Sequence, residues 1–181
     1  GIDSDHTTPS AEKLQEELAL GFTVQVQECM LSREIVQAMN DAPVQDRICL
    51  VTDDVPLPRI MRQGHLNFVV ERAIELGKPG NIIIDCSSTA PDIIQELYAK
   101  TKAAGMTLLD SPVSGGNPMA IAGTLAIMTG GDKEAFDEVL PILESMGKPV
   151  YTGKSGSGDV TKLVNNMIAG NMLTAIAEGY A

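Results

Sequence analysis

Tryptophan is absent from the 181 residues, and phenylalanine and tyrosine number three each, which leaves few rings to stack on bases. Lysine and arginine together number 13 against 24 aspartates and glutamates, for a net charge of −11. That balance argues against binding a phosphate backbone or docking on an anionic membrane, while leaving room for a local basic pocket. His6 and His65 are the only histidines, far apart in sequence, so a zinc centre is not expected and no metal is assigned. Cys29, Cys49 and Cys86 have neither metal nor disulfide spacing, as a reduced intracellular compartment (cytoplasm or mitochondrial matrix) allows. No apolar run approaches the roughly 18 residues of a membrane-spanning helix. Residues 1–9 are polar from the start and carry no signal-peptide pattern. No internal repeat or low-complexity tract is visible.

What is present is a chain with 44% hydrophobic residues, enough to bury a core at this length. Short β-branched runs alternate with longer amphipathic ones. Thr8-Pro9 followed by residues 10–20 predicts a capped helix start, 22–26 a short strand, and 31–39 a helix. Residues 47–51 read as a buried strand ending at Thr52-Asp53-Asp54, and 58–76 as a helix interrupted near Gly64. Residues 81–85 are the cleanest strand, and Ala90-Pro91 opens a helix to Ala104. Strands follow at 106–110, 125–129 and 149–152, with a helix over 132–146 whose N-terminal acid suits its dipole. A last helix carries Lys162 to the chain end. This alternation is the sequence form of a parallel sheet covered on both faces. On such sheets ligands sit beyond the carboxyl ends of strands, which singles out Thr52-Asp53, Cys86-Ser87-Ser88-Thr89 and Ser114-Gly115-Gly116.

In Gly153-Lys-Ser-Gly156-Ser-Gly158-Asp-Val-Thr-Lys162-Leu-Val-Asn165-Asn166 a glycine-rich turn opens onto a helix. Lys162 and Asn166 are four apart and share a face. At about 100° per residue, Val160, Leu163, Val164 and Met167 gather on a stripe nearly opposite, expected to be the packing side. An ammonium and a carboxamide together can meet a polar ligand; a solvated helix face has the same pattern. Ser114-Gly115-Gly116 can turn backbone N–H groups toward one point as an anion-binding nest, or be an ordinary turn. The hydroxyls of Asp85-Cys-Ser-Ser-Thr-Ala-Pro91 fit an N-cap or ligand contact. Asp53-Asp54 reads as a turn or cap, and the nine methionines as core filler.

Three sets of residues occur together in order: Asp85-Cys-Ser-Ser-Thr-Ala-Pro91; Leu109-Asp-Ser-Pro-Val-Ser-Gly-Gly116 with Ala120, Gly123-Thr-Leu125 and Gly130-Gly131; and the Gly156/Gly158/Lys162/Asn165/Asn166 run. With them the chain resembles the β-hydroxyacid dehydrogenase family, which holds 3-hydroxyisobutyrate dehydrogenase and tartronate semialdehyde reductase. The match runs from near residue 45 to the end and is weaker before it. The resemblance implies an α/β chain: an incomplete Rossmann-type, doubly wound, mostly parallel sheet over 1–157, with the start of a long interdomain helix at 158–181. It implies NAD or NADP as cofactor, and hydride transfer between nicotinamide and a small 3-hydroxy acid or its semialdehyde or keto acid. Lys162 would be the general acid and base, with Asn166 holding the substrate beside it. Ser114, Gly115 and Gly116 would bind the substrate carboxylate, while Val51, Thr52 and Ser88 fall where the family touches the dinucleotide. An ammonium beside a positively charged nicotinamide would have its pKa lowered toward neutrality, as proton transfer near pH 7 needs. The parent enzyme would be a homo-oligomer acting on a small carboxylate, with neither nucleic acid nor membrane as partner.

Two readings compete with this one. A 6-phosphogluconate dehydrogenase-like enzyme carries a histidine where Asn165 stands here, and Pro-Ser where Thr124-Leu125 follow Gly123. A non-catalytic binding or scaffold module keeps the fold but loses the lysine, which is present as Lys162. The chain also departs from the family: no Gly-x-Gly-x-x-Gly turn occurs in it, and Asp3 or Asp5 would stand where a ribose-binding acid does. The strand belonging to that turn would lie mid-sheet, so a gap with unpaired backbone is expected there, together with weak dinucleotide binding by this chain alone. The family's C-terminal helical domain is likewise absent beyond the start of the long helix.

Overall fold

The computed structural model describes residues 4–5, 10–27, 30–42, 48–51 and 67–181. The chain divides into two units, Gly1–Pro79 and Gly80–Ala181.

In the first unit, helix α1 (Ala11–Ala19) starts where the sequence predicts. The Ser10 hydroxyl caps it by accepting from Lys13 N at 3.2 Å, and Leu14 and Leu18, four apart, are buried. Strand β2 (Thr23–Gln27) alternates, with Val24 and Val26 fully buried between polar neighbours. Helix α2 (Arg33–Asp41) is capped by Ser32, whose Oγ accepts from Ile35 N, and it buries Ile35, Val36 and Ala38. Strand β3 (Ile48–Val51) and helix α3 (Asn67–Leu76) complete the unit. A two-residue strand, β1 (Ser4–Asp5), was not expected from the sequence. The strands run parallel in the order β1-β2-β3, with Val24 opposite Ile48 and Gln27 opposite Val51. Among the described residues β1 pairs β2 only at Thr23 and Val24, while β3 pairs it from Val24 to Gln27. Asp3, His6, Cys29, Thr52, Asp53, Asp54, His65 and the helix portion predicted before Asn67 lie outside the described residues.

The second unit contains β4 (Ile82–Asp85), α4 (Pro91–Ala103), β5 (Thr107–Asp110), β6 (Val113–Ser114), α5 (Gly116–Ile121), β7 (Leu125–Gly130), α6 (Lys133–Met146), β8 (Gly147–Gly153) and α7 (Ser157–Tyr180). Sheet order is β4-β5-β7-β6, with β8 also on β7. β4 and β5 are parallel, as are β7 and β8. β7 runs antiparallel to β5 and β6, so the sheet is mostly and not wholly parallel. The connection from β5 to β7 carries only a two-residue strand and a six-residue helix, so the chain turns back beside β5 without the longer crossover a parallel pair needs. Leu109 of β5, Ile127 of β7, and Phe136, Val139 and Leu143 of α6 form the core. Asp132 stands at the N-cap of α6 but makes no side-chain cap. Its carboxylate accepts from Tyr98 Oη at 2.5 Å and pairs with Lys102, tying α4 to α6. The architecture is thus an α/β sheet, mostly parallel, ending in a long C-terminal helix. Among the described residues no helix is long and apolar enough to cross a membrane.

Candidate active site

The position of the lysine helix is fixed from β5. Asp110, at the end of that strand, is fully buried. Its Oδ1 accepts from Gly156 N at 2.8 Å, and its Oδ2 from Gly158 N at 2.8 Å and Asp159 N at 3.2 Å. Gly156, the N-cap residue of α7, has left-handed backbone (φ 89°) and no side chain to cap with. A carboxylate 46 residues upstream therefore fills the role, at the end where the helix dipole favours negative charge. Burial pushes the Asp110 carboxyl up, against the pull of the N–H groups of Gly156, Asp159 and Gly158. The approach is close enough to require glycine at 158, since a Cβ there would overlap Met128 O and Asp110 O.

This anchor sets the rotation of α7. From Val160 onward every residue of the helix is exposed except Lys162 and Asn165, which are partly buried. Asn165 Nδ2 donates to Ser114 Oγ at 3.3 Å. Lys162 and Asn165 are three apart and share a face, so the lysine lies on the side of the helix turned toward the Ser114 segment. Among the described residues Lys162 makes no ion pair. The packing stripe read from the sequence is corrected: Val160, Leu163, Val164 and Met167 are all exposed, Met167 by 60%. Backbone donors seated on Asp110, and the bare Cα of Gly158, decide which way the helix turns; the apolar stripe does not. Asn166, paired with Lys162 in the sequence reading, is exposed, and Asn165 is the carboxamide that meets Ser114.

Ser114 ends β6 and pairs with Ala126 of β7. Where the sequence allowed an anion-binding nest or an ordinary turn, the chain passes directly into α5. Gly115 (φ 139°) and Gly116 (φ 62°) both adopt positive φ, and a Cβ on Gly115 would stand 2.7 Å from Met119 Cβ. Two successive glycines are what let a strand end run into a helix here.

After β4, the hydroxyls do not cap α4 as anticipated. Ala90 is the N-cap, without a side-chain bond, and Pro91 opens the first turn. Ser87 instead turns back on Asp85, whose Oδ1 accepts from Ser87 N at 2.9 Å and from Ser87 Oγ at 2.5 Å. Ser87 Oγ also lies 3.0 Å from Thr89 Oγ1, and Thr89 N donates to Asp159 Oδ1 at 2.8 Å. Ser88 is exposed, and its hydroxyl has no partner among the described residues. Val51 ends β3 in the first unit, and Thr52 lies outside the described residues. A free hydroxyl at the carboxyl end of a strand is suited to a sugar or carboxamide, so Ser88 fits a nicotinamide dinucleotide chemically.

Within the second unit the structure brings Lys162, Asn165 and Ser114 onto one side of α7. Three acids the sequence did not single out, Asp85, Asp110 and Asp159, hold the loops around that helix. Asp85 bonds locally to Ser87, but no local signal marks Asp110 and Asp159, whose partners are 46 to 70 residues away. Among the described residues no group of three or more acidic, histidine or cysteine side chains is placed to hold a metal.

The profile described as the NAD binding domain of 6-phosphogluconate dehydrogenase matches residues 9–156, across both units. The chain is 43% identical over 106 residues to a 3-hydroxyisobutyrate dehydrogenase of Pseudomonas aeruginosa, covering 58% of this chain and 35% of that one. It is 38% identical over 104 residues to an NAD-dependent L-serine dehydrogenase of the same organism, covering 57% and 35%. A solved Mycobacterium tuberculosis 3-hydroxyisobutyrate dehydrogenase with L-serine superposes at a TM-score of 0.66 and 26% identity, over 97% of this chain and 62% of that one. The chain spans about a third of the length of the curated relatives it matches. NAD or NADP is the cofactor class of the matched domain. With the serine–glycine segment, the lysine helix and a domain-length match in agreement, the chain belongs to the β-hydroxyacid dehydrogenase family, through the NAD-binding domain that this family shares with 6-phosphogluconate dehydrogenase.

Proposed function

We propose that this chain carries the dinucleotide-binding part and the catalytic lysine of an NAD(P)-dependent dehydrogenase of small 3-hydroxy acids. The observation that carries the reading is the 3.3 Å bond from Asn165 to Ser114, which joins the Lys162 side of α7 to the serine–glycine segment. Ser114 and the N–H groups of Gly115 and Gly116 hold the substrate carboxylate, as positive-φ glycines can in a nest. Lys162 Nζ donates a proton to the carbonyl oxygen in reduction and takes it from the hydroxyl in oxidation. Asn166, one turn beyond Lys162, orients the substrate from the helix. Ser88 contacts the dinucleotide. The cofactor, when bound, supplies the hydride, and the protein contributes position and field.

Residues 1–157 form the dinucleotide-binding domain in this reading, and 158–181 begin an interdomain helix. The outward apolar side of α7, from Leu163 to Ile176, supports a further helical domain seated on it. The relatives at 38–43% identity favour a 3-hydroxy acid over 6-phosphogluconate as substrate class. In the enzyme that carries this chain, Lys162→Ala is expected to lower kcat by about 10²–10⁴-fold while dinucleotide affinity is kept. Unchanged kcat would exclude the lysine from the chemistry, whereas no turnover at all in the unsubstituted enzyme would favour a non-catalytic binding module.

A further inference from the structure

Three buried carboxyl groups flank the first turn of α7. They are Asp85 at the end of β4, Asp110 at the end of β5 and Asp159 on the helix, exposed by 4%, 0% and 1%. Among the described residues no lysine or arginine pairs with any of them. Two of the three are well supplied with donors: Asp110 takes three backbone N–H groups, and Asp85 takes the Ser87 N–H and hydroxyl. Asp159 is not. Its Oδ1 accepts from Thr89 N, and its buried Oδ2 has no partner. A carboxylate with one oxygen unpaired, out of water and beside two like charges, is costly to keep ionised, and a proton on that oxygen removes the cost.

We propose that Asp159 is a proton-dependent latch between the 86–90 loop and the first turn of α7, seated when its free oxygen carries a proton and loosened when it does not. Burial pushes its carboxyl up, the Thr89 N–H opposes, and the charges of Asp110 and Asp85 add, bringing it to about 7 from 3.8. The charged groups acting on it are therefore Asp110 from β5 and Asp85 from β4. The other elements packed on this turn bring neutral groups: Met128 O from β7, Thr152 from β8 and Gln95 from α4. Between the unfolded value of 3.8 and about 7, the folded state holds a proton that the unfolded chain has lost. Stability therefore falls as pH rises through that window, and the full loss is present above it. If the proposed function holds, on which only this consequence rests, the latch joins the segment of Ser88 to the helix of Lys162.

Asp159→Asn keeps the shape and the acceptor for Thr89 N but cannot ionise. Denaturant unfolding of the 181-residue chain, with and without the substitution, is read from pH 5 to 8.5. The expected result is an unfolding constant that rises by up to about tenfold per pH unit toward pH 7 in the unsubstituted chain, with that component gone in the variant. Parallel slopes in the two proteins overturn the latch. Carbon-13 NMR of the assigned Asp159 carboxyl needs no substitution and so does not depend on the variant folding. A midpoint near 7 supports the proposal, and one below about 5, within the usual carboxylate range, overturns it. Neither readout involves turnover, so failure here leaves the proposed activity standing.

Discussion

The first turn of α7 and the rest of the same helix are built on opposite terms. Gly156, Gly158 and Asp159 are buried, their N–H groups seated on the Asp110 carboxylate. Beyond them only Lys162 and Asn165 are partly buried, while Leu163, Met167, Leu173 and Ile176 are exposed. A helix normally turns its apolar stripe inward because that burial is what stabilises it. Here three directed hydrogen bonds and one missing side chain set the rotation instead, and they bring a polar edge toward Ser114. The apolar side is left for another surface.

That contrast can be broken from either end, and the first turn should respond most. Asp110→Ala strips the acceptor from three buried N–H groups. It is expected to destabilise the chain by about 3 kcal/mol or more, given about 1–3 kcal/mol for each buried group left unsatisfied; chemical denaturation measures it, and a loss below about 1 kcal/mol would mean the anchor is dispensable. Gly158→Ala drives a methyl group into Met128 O and Asp110 O, at an expected cost of about 1–3 kcal/mol, as overpacking does. A neutral result would show that the helix can back away from the sheet. Asn165→Ala removes the single bond to Ser114, worth about 1 kcal/mol, so a thermal shift larger than that of Gly158→Ala would reverse the ranking. Leu173→Glu on the outward side is expected to change stability by less than about 0.5 kcal/mol and to reduce self-association in sedimentation. A large destabilisation would mean that this side is already packed within the chain.

Elements with local signals were legible in the sequence. Ser10 before α1, the Ile-Ile-Ile run of β4 and Pro91 opening α4 each state their structure within a few residues. Two-residue strands such as β1 and β6 carry too little pattern to be read, and the reversal of β7 depends on how short a connection can turn the chain. The lysine helix was found from its glycines and spacing, but its rotation was misread. Amphipathicity identifies an apolar face without saying whether this chain supplies the surface that covers it. The hydroxyls of Ser87 and Thr89 fitted a cap or a ligand contact in sequence, but Ser87 Oγ turns to Asp85 and Thr89 Oγ1, while the Thr89 backbone N–H meets Asp159, 70 residues away. Asn165 entered the sequence argument as part of the glycine–lysine run and as the residue that replaces a histidine; its bond to Ser114, 51 residues back, needed coordinates.

The central claim is that the Lys162 amine moves the proton. In the enzyme carrying this chain, Lys162→Ala should regain turnover when small primary amines are added to the assay, in proportion to amine concentration and basicity. A variant that binds dinucleotide and substrate yet gains nothing from any amine, while retaining most of the parent rate, would contradict it.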